Sequence, residues 1–169
     1  MIRDYAFVLQ CDTDGRRTMG SSNEVVSTAS PHTIKKFELI PKYVEEWAPK
    51  LLQNDYCSGL VFIDCMSNSG EYVDAAGNQV FGTPVRVAKY LRQMAGQYPR
   101  KMIDLYFSDL SAEKTMHLSS LMPQDKINFH CRISTEDGNM LLKRLGRALP
   151  RDIGKHYLLI YDPYDASID

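Results

Sequence analysis

The chain lacks the signatures by which several common functions are recognised. It has no Gly-x-Gly-x-x-Gly, the turn that brings backbone N–H groups against a pyrophosphate, and no Gly-Lys-Ser/Thr of a phosphate-binding loop. Its four cysteines, Cys11, Cys57, Cys65 and Cys131, form neither a Cys-x-x-Cys pair nor a Cys/His set at zinc spacing. They read as reduced thiols, which excludes a disulfide framework. No run approaches the ~18 apolar residues of a membrane span, and no apolar core of a signal peptide follows the N-terminus. The expectation is a cytoplasmic protein. A net charge of −1 argues against holding nucleic acid by bulk electrostatics, though it leaves room for a local basic face.

What is present describes one globular domain. The 169 residues suffice for a sizeable core, and 44% apolar with 24% charged residues is the balance of a soluble protein. The most informative stretch is Leu60-Val61-Phe62-Ile63-Asp64-Cys65-Met66-Ser67-Asn68-Ser69-Gly70. Its apolar run is short enough for a strand buried on both faces. It ends in a carboxylate, and the small residues Ser67, Asn68 and Gly70 after it let a ligand approach the backbone.

The rest of the chain alternates around that strand. Residues 1–30 read as a peripheral arm, with a strand conceivable from Ile2 to Leu9. Ser30-Pro31 is an N-cap with proline at the first helical position, and Ile34, Phe37, Ile40, Val44, Trp47 and Leu51 follow at helical spacing. Pro41 should kink this helix or split it. After Gly70, Tyr72-Val73 and Gln79-Val80-Phe81 flank Ala76-Gly77-Asn78 as a small hairpin over the sheet edge. Thr83 then caps a second helix opened by Pro84. Met102–Phe107 is a second strand, and Ser111 caps a third helix carrying Thr115, Leu118 and Met122. Lys126–Ile133 is a third strand. A fourth helix presents Leu141, Leu142, Leu145 and Leu149 and stops at Pro150, and Tyr157–Tyr161 is a fourth strand. Strands alternating with helices of this length imply right-handed βαβ units and a parallel sheet. A doubly wound sheet normally continues beyond a fourth strand, so residues 31–169 read as the N-terminal part of a longer α/β domain.

The four strands end at or near Asp64, Asp109, Asp137 and Asp162, which a parallel sheet brings to one rim. There Asp109 can accept ribose hydroxyls and Asp137 can meet an adenine amine, while capping of the following helix is the competing role for each. The missing glycines argue against a diphosphate and leave a less demanding ligand, such as a nucleoside sulfonium. The histidines His32, His117, His130 and His156 have neither metal spacing nor a paired nucleophile, and read as structural. Lys143, Arg144, Arg147, Arg151 and Lys155 around the fourth helix read as a solvated face, with phosphate contacts the alternative.

In order along residues 31–169, several motifs together resemble the three-Cys-motif partner proteins (TcmP). They are His32-Thr33-x-x-Lys36, the Tyr43…Trp47 helix, Phe62-Ile63-Asp64 running to Gly70, Gly82-Thr83-Pro84, Asp109 and Asp162-Pro163-Tyr164. These are bacterial proteins, encoded beside a protein with a three-cysteine motif, that look like class I S-adenosylmethionine methyltransferases. The resemblance implies a three-layer Rossmann-like sheet of strand order 3-2-1-4. It implies an S-adenosylmethionine site on Asp64, Ser67, Asn68, Gly70, Asp109 and Asp137, and the three-Cys-motif protein as partner. Asp162-Pro163-Tyr164 resembles the Asp-Pro-Pro-Tyr turn of methyltransferases that act on exocyclic amines, which makes these three the candidates for substrate handling and nucleic acid the candidate substrate. The family's Asp-Gly-Phe-Ala-Gly-Pro-Gly is replaced by Asp64-Cys-Met-Ser-Asn-Ser-Gly70. That replacement favours the alternative of a non-catalytic module that keeps the fold to bind a partner. A Mg²⁺-dependent hydrolase using the carboxylates is a third reading.

Overall fold

A computed structural model describes residues 7–9, 25–149 and 154–161, the first of these by backbone alone. In chain order its elements are β1 (Phe7–Leu9), β2 (Ser27–Thr28), α1 (Pro31–Leu52), β3 (Gly59–Asp64), β4 (Glu71–Val73), β5 (Gln79–Phe81) and α2 (Thr83–Gln97). They continue with β6 (Met102–Asp109), α3 (Ala112–Leu121), β7 (Phe129–Thr135), α4 (Gly138–Ala148) and β8 (Lys155–Ile160).

Every residue of β3 is buried, as its unbroken apolar run requires, because parallel strands flank it on both sides and helices cover both faces. Leu60 and Phe62 point to the side where α1, α2 and α3 supply Val44, Ala48, Leu91 and Leu118. Val61 and Ile63 point to the other, where α4 supplies Leu141 and Leu145. The main sheet has five parallel strands in the order β1-β8-β3-β6-β7. This differs from the four-strand order expected, because Phe7–Leu9 pairs with Leu158–Ile160 and continues the sheet beyond β8. The strand conceivable from Ile2 to Leu9 is thus present over Phe7–Leu9, within the expected peripheral arm. The expected third strand also starts later, at Phe129, with Lys126 paired to it only by an isolated bridge.

Helix α1 starts as its sequence dictates: Ser30 Oγ accepts from Thr33 N at 3.1 Å and Pro31 follows the cap. It is not split at Pro41. A proline removes the donor to the carbonyl four residues earlier, and the interior of α1 contains two, Pro41 and Pro49. The carbonyls facing those missing donors belong to Phe37 and Glu45, and α2 satisfies both. Arg86 Nη1 donates to Phe37 O at 2.6 Å, and Tyr90 Oη to Glu45 O at 3.2 Å. Helix α2 itself is capped one residue earlier than expected, by Gly82, with Thr83 buried in its first turn. Its other end is closed by Asn128, whose side-chain amide reaches Ala95 O, Tyr98 O and Lys101 O. Helix α3 stops at Leu121, so Met122 is its C-cap and not part of its helical stripe.

The hairpin β4–β5 forms around Gly77 (φ +83°), with Asp74 accepting from Ala76 N and Asn78 N. It joins β2 in a separate three-stranded sheet. On the α4 side, towards the strand beginnings, the core turns polar. Asp104 is buried, within 3.1 Å of His130 Nδ1 and Arg132 Nη1 and 3.3 Å of Lys155 Nζ. Burial pushes its pKa up, but the hydrogen bonds from Arg132 and His130 and the Lys155 charge outweigh that and hold it below the usual aspartate value.

Candidate functional site

Topology places the candidate rim. From β3 the chain steps outward to β6 and β7, then returns to the opposite side of β3 as β8, so the order reverses beside the end of β3. In open α/β sheets that reversal is where a crevice forms outside the strand ends. Asp64 pairs level with Phe107, and Asp109 level with Thr135, so Asp109 reaches two residues further along the rim than Asp64. Asp137 follows β7 as the N-cap of α4. Asp162, Pro163 and Tyr164 lie outside the described residues.

The turn after β3 closes onto the tip of β6. Asp64 is buried and Oδ1 accepts from Met66 N at 3.1 Å, an Asx turn that starts the bend. Ser67 then donates twice to Ser108 O, from N at 2.9 Å and from Oγ at 3.0 Å, while Ser108 Oγ donates back to Cys65 O at 3.1 Å. Asn68 takes a left-handed backbone (φ +54°), which asparagine tolerates better than most residues. That conformation turns its N–H to Asp109 Oδ2 at 3.1 Å, and the other carboxylate oxygen, Oδ1, accepts from Ser111 N at 2.9 Å. One aspartate thus ties the β3 turn to the start of α3.

Gly70 is needed for packing. Its φ is +73°, and a Cβ there would lie 2.4 Å from Leu118 Cδ1 and 2.8 Å from Val85 Cγ2. The glycine lets the turn pass between α2 and α3, whatever its role towards a ligand. At Gly138, just after the α4 cap, a Cβ would lie 2.8 Å from that of Cys65 and 3.0 Å from Cys65 O, so α4 begins hard against the same turn. Asp137 Oδ1 accepts from Asn139 N at 2.9 Å, the capping role that competed with ligand binding.

The structure therefore ties Ser67 and Asn68 to Ser108 and Asp109 by hydrogen bonds, with Asp64 and Gly70 at the two ends of the same turn and Asp137 beside it. Asp64 is 5% exposed, Ser67 2% and Ser69 0%. The donor set fits an adenosyl ligand at one point, the half-buried Asp109 carboxylate. It fits poorly elsewhere, since the Asn68 N–H and both Ser67 donors already have partners. The Cys65 thiol is pushed up to about 12, first by burial and then by the Asp64 and Asp137 charges, which disfavours its thiolate form.

Sequence reasoning missed several members of this region. Ser108 and Cys65 complete the interlock. Glu71 bridges the small sheet and α3, with Oε2 2.7 Å from His117 Nε2 and Oε1 accepting from Gln79 Nε2 at 2.6 Å. The Gln79 and then the His117 hydrogen bond hold Glu71 below the usual glutamate value. Among the described residues no three His, Cys, Asp or Glu side chains converge as metal ligands, and no helix is long and apolar enough to cross a membrane.

Fold and rim together define an α/β protein with a parallel main sheet and a self-bonded rim at its reversal point. Comparison with protein-family models, with curated proteins and with solved structures finds no match to this chain.

Proposed function

We propose that this chain is a non-catalytic interaction module, built as a three-layer Rossmann-like, class I methyltransferase-like domain that binds a partner protein without turnover. The carrying observation is the closure of the rim. Asp109 accepts from Asn68 N and Ser111 N, and Ser67 and Ser108 interlock, so the turn serves the fold and leaves few polar atoms to a ligand. Apolar exposure beside the rim supports binding of a protein. Leu110 after β6, Met116 in α3 and Met140 in the first turn of α4 are 74%, 72% and 62% exposed, and methionine suits adaptable binding surfaces. By family resemblance the partner is the three-Cys-motif protein.

A second reading is an S-adenosylmethionine-dependent methyltransferase acting on nucleic acid together with that partner. One observation favours it. Each Asp109 oxygen keeps acceptor capacity after its backbone hydrogen bond, at the position where an acid accepts ribose hydroxyls. When bound, S-adenosylmethionine would supply the methyl group. Asp109 would hold ribose, Asp137 adenine, and Asp162, Pro163 and Tyr164 the acceptor amine.

Calorimetry separates the two. Titration with the three-Cys-motif protein should release or absorb heat, and titration with S-adenosylmethionine at sub-millimolar concentration should not. Saturable heat with S-adenosylmethionine that disappears in Asp109→Ala would overturn the first reading in favour of the second.

A further inference from the structure

Of the chain's asparagines, only Asn68 is followed by a small residue, Ser69. Among the described residues it is also the one whose side chain folds back onto the next backbone nitrogen. Ser69 N donates to Asn68 Oδ1 at 2.8 Å, at a residue held at φ +54°. The other described asparagines are engaged elsewhere. Asn54 Oδ1 accepts from Tyr56 N, two residues on, and Asn139 Oδ1 from Tyr161 Oη. The Asn78 amide donates to Asp74, and the Asn128 amide to backbone carbonyls at the end of α2.

Ser69 N and the C, Cα, Cβ and Cγ atoms of Asn68 are together the members of a five-membered ring that lacks one bond, from N to Cγ. With Oδ1 already against Ser69 N, Cγ is on the ring-closing side. A rotation about χ2, a broad torsion in asparagine, turns the face of Cγ towards the nitrogen. Reacting atoms held side by side in this way lose little further freedom when they react. Ser69 N donates to this side chain rather than to a backbone carbonyl, so losing its proton breaks no ladder of the fold. Asn68 is only half-buried, which admits water. Tolerance of positive φ explains an asparagine here, but glycine would serve the turn as well without the reactive amide.

We propose that Asn68 is a site of self-modification, where ring closure by Ser69 N converts the asparagine to aspartate and isoaspartate and unlocks the rim. Hydroxide takes the Ser69 N–H proton. The N–Cγ bond forms, the Cγ–Nδ2 bond breaks, and the side-chain nitrogen leaves as ammonia. Water then opens the cyclic imide. Opening at Cγ gives aspartate, and opening at the main-chain carbonyl gives isoaspartate, in which the chain runs through Cγ and gains a methylene. Amide and water become acid and ammonia, with nothing oxidised or reduced. The turn is pinned at Ser67 by Ser108 and at Gly70 between Val85 and Leu118. It has no room for an added methylene, so the Asn68 N–Asp109 hydrogen bond gives way. The proposal needs only this turn and does not rest on the interaction-module reading.

The test is to age the whole chain at mildly alkaline pH, folded and in urea, and to follow its peptides by mass spectrometry. In the folded chain Asn68 should convert on the order of 10-fold faster than Asn54, Asn78 or Asn139, and at least as fast as it does in urea. Reversed-phase chromatography should separate an isoaspartyl peptide from the aspartyl one. Protein carrying the isoaspartate should melt about 5 °C lower than fresh protein. Asn68→Gly keeps the backbone conformation but has no amide, and should age without that fall. Conversion of Asn68 no faster than of the other three, or protection of Asn68 by folding, overturns the proposal. Isoaspartate at position 68 with an unchanged melting temperature overturns the unlocking of the rim.

Discussion

Replacing Asp109 by alanine removes the acceptors for two backbone donors at once, Asn68 N at 3.1 Å and Ser111 N at 2.9 Å. Hydrogen bonds to a charged group contribute about 1.5–3 kcal/mol each when buried. Asp109 is half-buried, so water recovers part of the loss, and helix-cap replacements typically cost about 1 kcal/mol. The two bonds together come to about 2–3 kcal/mol. In a chain of this size each kcal/mol moves the melting temperature by about 2–4 °C, so Asp109→Ala should melt about 5–10 °C lower than the parent. Asp109→Asn should fall between, because its amide oxygen keeps one acceptor while its NH₂ faces the other donor. Urea unfolding with an unchanged m-value would assign the loss to the folded state. Amide exchange at Asn68 should accelerate more than exchange in β7. If Asp109→Ala loses less than about 0.5 kcal/mol, the closed rim is not a structural lock and the reasoning for a non-catalytic module fails.

Three further outcomes are expected. Gly70→Ala should destabilise by about 2–4 kcal/mol in chemical denaturation, from a left-handed backbone and a Cβ driven into Leu118 and Val85; a neutral result would mean that α2 and α3 yield easily. Asp104→Ala should cost about 2–3 kcal/mol at pH 7, the lower range for breaking a buried pair, since Arg132 is half exposed and relaxes into water. Because the folded-state pKa is depressed, this contribution is complete above the unfolded value near 4 and is lost as pH falls through the folded one. Melting curves of parent and variant should therefore converge on acidification, and a gap that widens below about pH 4 refutes the assignment. Cys65 and Cys131, both pushed up to about 12 chiefly by burial, should resist iodoacetamide at pH 8 until the chain unfolds, as read by peptide mass spectrometry; rapid labelling of Cys65 in the folded protein would contradict its place beneath α4.

Much of the fold was legible because its signals are local and strong. The apolar run to Asp64, the Ser30-Pro31 and Ser111 caps and the leucines of α4 each announce an element within a few residues of themselves. Phe7–Leu9 was legible only as a conceivable strand from Ile2 to Leu9, and its place in the sheet was not, because a three-residue strand gains its stability from the edge of β8. The rim was half legible. Strand-end carboxylates could be located, but not their partners, since Ser67 and Ser108, like Asn68 and Asp109, lie 41 positions apart. Asp104 likewise became informative only when the strand register set it beside His130 and brought Lys155, two residues before the level position Tyr157 on β8, within reach across β3.

The two interior prolines of α1 carry a consequence for how the helical layer assembles. A proline-free α1 would be a better helix but a smoother rod, along which α2 could settle at several heights. Pro41 and Pro49 cut two sockets into that rod, and Arg86 and Tyr90 are the prongs that enter them. Local weakness here acts as an address, so α1 is complete only once its neighbour has arrived. A double-mutant cycle reads this directly: in Pro41→Ala, which returns a donor to the Phe37 carbonyl, most of the cost of Arg86→Ala should vanish.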